Sequence, residues 1–91
     1  MDKHGELRVL LDLAESVGIV IRRAPSGGDA SAGQGHPGGA LVSLHGRDML
    51  FLDPAAGVAD RIAVVAAALA GRKELDDLYI PPQVRQRIEQ A

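Results

Sequence analysis

Hydrophobic positions fall into four periodic segments, interrupted by one stretch without a period. From Lys3 to Val17, Leu7, Leu10, Leu11, Ala14 and Val17 recur at the three-and-four spacing of one helix face, and Gly18 follows where a C-terminal glycine is expected. Val9 and Leu13 widen that stripe to an arc of about 200°, beyond the roughly 100° that one buried face requires. The excess serves either core packing or contact with a partner subunit. Ile19 to Ala24 reads as a short strand, β-branched at its start, carried to the edge of the core by Arg22 and Arg23, and ended by Pro25. Residues 25–39, PSGGDASAGQGHPGG, offer nothing to anchor a core and are expected to form a long, flexible glycine-rich loop.

Ala40 to Asp53 predicts a β-hairpin: ALVSLH, then Gly46-Arg47, then DMLFLD. A two-residue turn with glycine first suits type II′. That register pairs His45 with Asp48, Leu44 with Met49, Ser43 with Leu50 and Val42 with Phe51. Val42, Leu44, Met49 and Phe51 then form one fully apolar face, expected to be the core face. The other face, with Leu41, Ser43, His45, Asp48, Leu50 and Leu52, is mixed, so part of it is also a candidate for cover.

A helix follows, starting at Asp53-Pro54 or, because of Gly57, near Val58, and running to about Ala70 before Gly71. Val58, Ile62, Val65 and Leu69 form its large-residue stripe, expected against the sheet. Ala63, Val64, Ala67 and Ala70 lie opposite, and alanine permits close approach of another helix. Lys73 to Tyr79 reads as a connector with Leu75, Leu78 and Tyr79 turned inward. Pro81-Pro82 opens a last short helix with Val84 and Ile88 on one side. The expected fold is α+β: helix, short strand, long Gly-rich loop, β-hairpin, helix and short C-terminal helix, with a small antiparallel sheet carrying helices on one face. Residues 1–91 read as one domain.

Composition restricts how such a fold is held. In 91 residues, 46% are apolar but only 2% aromatic, Phe51 and Tyr79, so the core is aliphatic. A chain of this size buries only roughly 60–65% of its unfolded surface. Cysteine is absent, which removes disulfides and thiolate metal sites. No apolar run approaches the ~20 residues of a membrane span. The start, MDKHGELR, lacks the apolar region of a signal peptide, so a cytoplasmic protein away from membranes is expected.

Candidate chemistry is sparse. His4, His36 and His45 share no helical metal-ligand spacing. His45 beside Asp48 reads as a solvated pair at a hairpin tip. Glu74, Asp76 and Asp77 lack the alternating spacing of a calcium loop. The glycine-rich stretch contains no phosphate-cradling motif and leads into a strand rather than a helix. No nucleophile elbow surrounds Ser16, Ser26, Ser31 or Ser43. No cofactor, catalytic or metal site is therefore expected. Arg22, Arg23, Arg47 and Arg85 are the candidate nucleic-acid contacts, a reading that requires them to share a face on a chain of net charge −2.

The segment from Gly18 to Gly71 resembles a reduced core of the ImmA/IrrE-type zinc peptidases. Its hairpin ends in Leu50-Phe51-Leu52-Asp53, and Ala63 to Gly71 lies where that family carries H-E-x-x-H. The resemblance implies metal ligands at Ala67 and Gly71 and a general base at Ala68. Those residues supply neither imidazole nor carboxylate, so what it implies is a scaffold without its catalytic groups. Leu78-Tyr79-Ile80-Pro81-Pro82-Gln83-Val84-Arg85 is similar to the ending L-Y-[IL]-P-P-x-V-R of small bacterial proteins, which implies a bacterial origin.

The apolar surplus on second faces leads to one functional expectation: a non-catalytic interaction module, self-associating as a homodimer, with Val9, Leu13, Leu41, Leu50, Val64 and Ala67 at the interface. A nucleic-acid-binding regulator is the alternative.

Overall fold

The helical period of residues 3–17 is realised as α1 (Lys3–Ser16) in a computed structural model that describes residues 2–23 and 38–91. Asp2 caps α1, its carboxylate accepting a hydrogen bond from the Gly5 N–H at 2.7 Å, a contact typically worth about 1 kcal/mol. Gly18, at φ 90°, lets the chain leave the helix and enter β1 (Val20–Arg23). Most of the expected glycine-rich loop, residues 25–37, lies outside the described residues. Its last two residues do not: Gly38 is buried and Gly39 opens β2 (Gly39–Leu44). β3 (Arg47–Leu52) follows, then α2 (Val58–Leu69), a 3-10 turn at Lys73–Asp77, and α3 (Pro82–Glu89). Of the two starts open to α2, the later one is used. The Asp53 carboxylate accepts from the Ala55 N–H at 2.9 Å in a turn, and Gly57 becomes the N-cap.

Among the described residues, the helices of this α+β fold lie on one side of a three-stranded sheet of order β1-β3-β2. The sheet is mixed rather than antiparallel. β2 and β3 form the antiparallel hairpin, but β1 lies parallel to β3, with Ile21 beside Leu50. Parallel neighbours need a long crossover. Here the chain between β1 and β3 passes through residues 24–38 and β2, so β3 returns into the gap between the other two strands.

The hairpin turn is His45-Gly46, with φ 53° and 76°, rather than Gly46-Arg47. Two positive φ values in succession match a type I′ turn, whose twist suits the flanking strands. Leu44 therefore lies opposite Arg47, Val42 opposite Met49 and Leu41 opposite Leu50. Relative to the expected pairing the strands slide by two residues, which leaves each residue on its expected face. The identity of the core face is reversed, however. Leu50 is fully buried, with Ile21 and Leu52 packed against the same core, whereas Val42, Leu44, Met49 and Phe51 point away from the helices. The hairpin alone carries apolar residues on both sides and cannot decide between them. The short link from α1 decides: the Ile19 N–H donates to the Ala14 carbonyl at 2.9 Å, fixing α1 on the side of Ile19 and Ile21.

α1 packs chiefly on α2, and α2 also reaches the sheet and α3. These contacts bury Ile62, Val64, Val65, Ala66, Ala68 and Leu69, so Val64 belongs to the core although the helical wheel sets it opposite the sheet. Ala59, Ala63, Ala67 and Ala70 remain exposed. Beyond α2, Leu78 is extended, so Leu78 and Ile80 share one side and Tyr79 takes the other. Ile80 is buried and Tyr79 is 84% exposed, not turned inward.

Two ion pairs close the arrangement. Glu6, only 1% exposed, accepts from Arg87 Nε at 2.7 Å and from Nη2 at 3.5 Å, joining α1 to α3. The hydrogen bond to Glu6, and then the attraction of its charge, raise the Arg87 pKa above the ordinary guanidinium value. Asp48 pairs with Arg72 at 2.5 Å, and Arg72 Nε also donates to the Ala68 carbonyl, tying β3 to the end of α2.

Four outcomes are expected in urea unfolding. Leu50→Ala costs about 2–5 kcal/mol, the range of a cavity in a closed core. Gly38→Ala costs about 1–3 kcal/mol, because a Cβ there overlaps the Asp60 carbonyl at the start of α2. Arg87→Met costs about 2–3 kcal/mol by leaving the Glu6 carboxylate buried without a partner. Adding Glu6→Leu to that variant recovers more than half of the loss.

Candidate functional site

Strand alternation and the observed register together define the open face of the sheet. Three rows cross it. Val20, Met49 and Val42 form the middle row. Arg22, Phe51 and Ala40 form the next row toward the end of β3. Arg47 and Leu44 form the row nearest the hairpin turn. None of the apolar residues in these rows belongs to the helix-side core. Val20, Ala40, Val42, Met49 and Phe51 are half-buried and Leu44 is 50% exposed. Among the described residues, no helix packs on this face.

Its charge is as distinctive as its apolarity. Arg22 and Arg47 are exposed at opposite ends of the face, and neither forms an ion pair among the described residues. The acids adjoining β3 are directed elsewhere. Asp48 points to the helix side and meets Arg72, and Asp53 accepts from the Ala55 N–H. The face thus presents an apolar centre between two cations, with no carboxylate in its three rows.

The other residues singled out from the sequence do not converge. Leu13, Leu50 and Val64 are buried within the chain's own core and have no surface left for a partner. Val9 is half-buried on α1 and packs against that core. Leu41 is 41% exposed on the helix side of β2, and Ala67 is exposed on α2. Of the four arginines, Arg22 and Arg47 share the open face. Arg23 is beside Leu52 on the opposite side of the sheet, and Arg85 is exposed on α3. The positions that the peptidase resemblance singles out are equally scattered: Ala67 is exposed, Ala68 is buried, and Gly71 lies past the helix end at φ 79°. His45 occupies the turn itself instead of pairing with Asp48 across the strands.

Elsewhere, Asp60, Ala63, Ala67, Arg87 and Gln90 line an open groove of ≈ 330 Å³ between α2 and α3. Among the described residues, no three His, Asp or Glu side chains gather as metal ligands. No helix among them is long and apolar enough to cross a membrane. The sequence reading missed the open face as a site because it assigned those same residues to the core. One signal for it was present: Met49-Leu50-Phe51-Leu52 is an unbroken apolar run, the mark of a strand covered on both faces. Against this geometry, comparison with known family models, curated proteins and solved structures returned no match.

Proposed function

We propose that the protein is a non-catalytic interaction module that docks a protein partner on the open face of its sheet. One observation carries this reading. Met49 to Leu52 of β3 form the unbroken apolar run of a strand buried on both sides, yet among the described residues helices cover only the side of Leu50 and Leu52. A sheet is stable when its apolar faces are packed against another layer. The helix layer supplies one such cover, and a bound partner supplies the other. Homodimerisation belongs to the same class of function. Three of the six residues that suggested it are taken by the core, which shifts the candidate contact surface to Val20, Val42, Leu44, Met49 and Phe51.

The test separates residues that hold the fold from residues held in reserve for binding. The double substitution Met49→Ser, Phe51→Ser is expected to cost less than about 1.5 kcal/mol in urea unfolding, since both side chains stay half-exposed in the free chain. A loss as large as that from Leu50→Ala would make the face part of the core and remove the reading.

A further inference from the structure

We infer that the partner of the open face is an acidic amphipathic helix. This inference rests on the docking-face reading above and deepens it through the size and charge of that face. Three strands about 4.8 Å apart, two of them six residues long and β1 four, at about 3.4 Å per residue, make a platform roughly 14 Å across and, along its two longer strands, roughly 20 Å long. That footprint is on the order of 300 Å², well below the roughly 800 Å² that each partner buries in a stable dimer. One helix, about 10 Å across and some 13 residues long, covers it. A helix laid there completes a three-layer arrangement, with the sheet between two helical layers.

Charge then selects the kind of helix. Arg22 and Arg47 lie at opposite ends of the apolar centre, and no carboxylate occupies the rows between them. Two identical copies set face to face would bring four arginines to one interface with no acid from those rows to meet them. A helix with Leu or Phe along one side and Glu at both ends of that stripe fills the centre and meets both cations. Rim charges of this kind act mainly on association rate, partner choice and salt dependence.

The test uses the full chain, labelled with ¹⁵N, and two synthetic helical peptides of about 14 residues matched to this length. Both carry the same apolar stripe. One has Glu flanks and the other has Lys in their place. The acidic peptide is expected to shift the amides of Val42, Met49 and Phe51, and to bind roughly fivefold tighter than its basic counterpart, the scale of two exposed ion pairs. That preference shrinks as salt rises from about 20 to about 300 mM. The double variant Arg22→Glu, Arg47→Glu changes only exposed positions, and it reverses the preference. Equal affinity of the two peptides overturns the acidic partner and leaves the docking face standing. Shifts of the same residues that depend on protein concentration, with neither peptide binding, overturn it in favour of a second copy. Tighter binding of a single-stranded oligonucleotide to this face overturns it in favour of nucleic acid. If no probe perturbs the face, both the inference and the docking-face reading fall.

Discussion

β3 is the strand on which the other elements depend. It accepts β1 along one edge and β2 along the other, and Leu50 at its middle is fully buried beneath the helix layer. β1 and β2 are not neighbours, so without β3 no sheet forms. The same strand holds α2 through Asp48 and Arg72. Burial of one leucine contributes about 1.5–3 kcal/mol, and Leu10, Leu50 and Leu69 are the largest apolar side chains that the core encloses completely.

A core without aromatic residues has to be closed by geometry. The buried alanines Ala14, Ala66 and Ala68 take little space and let α1 and α2 approach, while Gly38 and Gly39 let β2 begin against the backbone of α2 and β3. The chain's far ends are joined by Glu6 and Arg87. That pair is polar on a helix face that is otherwise apolar, and its worth lies more in fixing how α3 sits on α1 than in raw stability. Among the described residues the helices are committed to one side, and none of them covers the sheet's other side.

Much of the fold was legible in local sequence. The three helices, three strands, their order and most of their ends follow from apolar spacing, caps and glycines, with errors of one or two residues. The candidate site was less legible. The hairpin's two face sets could be read correctly because a slide of two residues preserves sidedness, but both sets are apolar enough to serve as core. The polar partnerships were invisible for a simpler reason. Glu6 and Arg87 are 81 positions apart, and nothing near either residue announces the other. Tyr79 shows the remaining kind of error: it is expected inward with Leu75 and Leu78, but the extended backbone at Leu78 gives the inward positions to Leu78 and Ile80.

Sequence alone determined what depends on neighbours within a turn or two: helix and strand periods, the breaks at Gly18 and Gly71, an aliphatic core and the absence of thiol chemistry. Tertiary structure decided the parallel pairing of β1 with β3, the His45-Gly46 turn, the choice of Leu50 over Met49 for burial, and with it the position of the open face between Arg22 and Arg47. Those outcomes turn on which side of the sheet α1 reaches after Gly18. That is a long-range packing choice between two faces of nearly equal hydrophobicity, and it is settled only when the whole chain closes on itself.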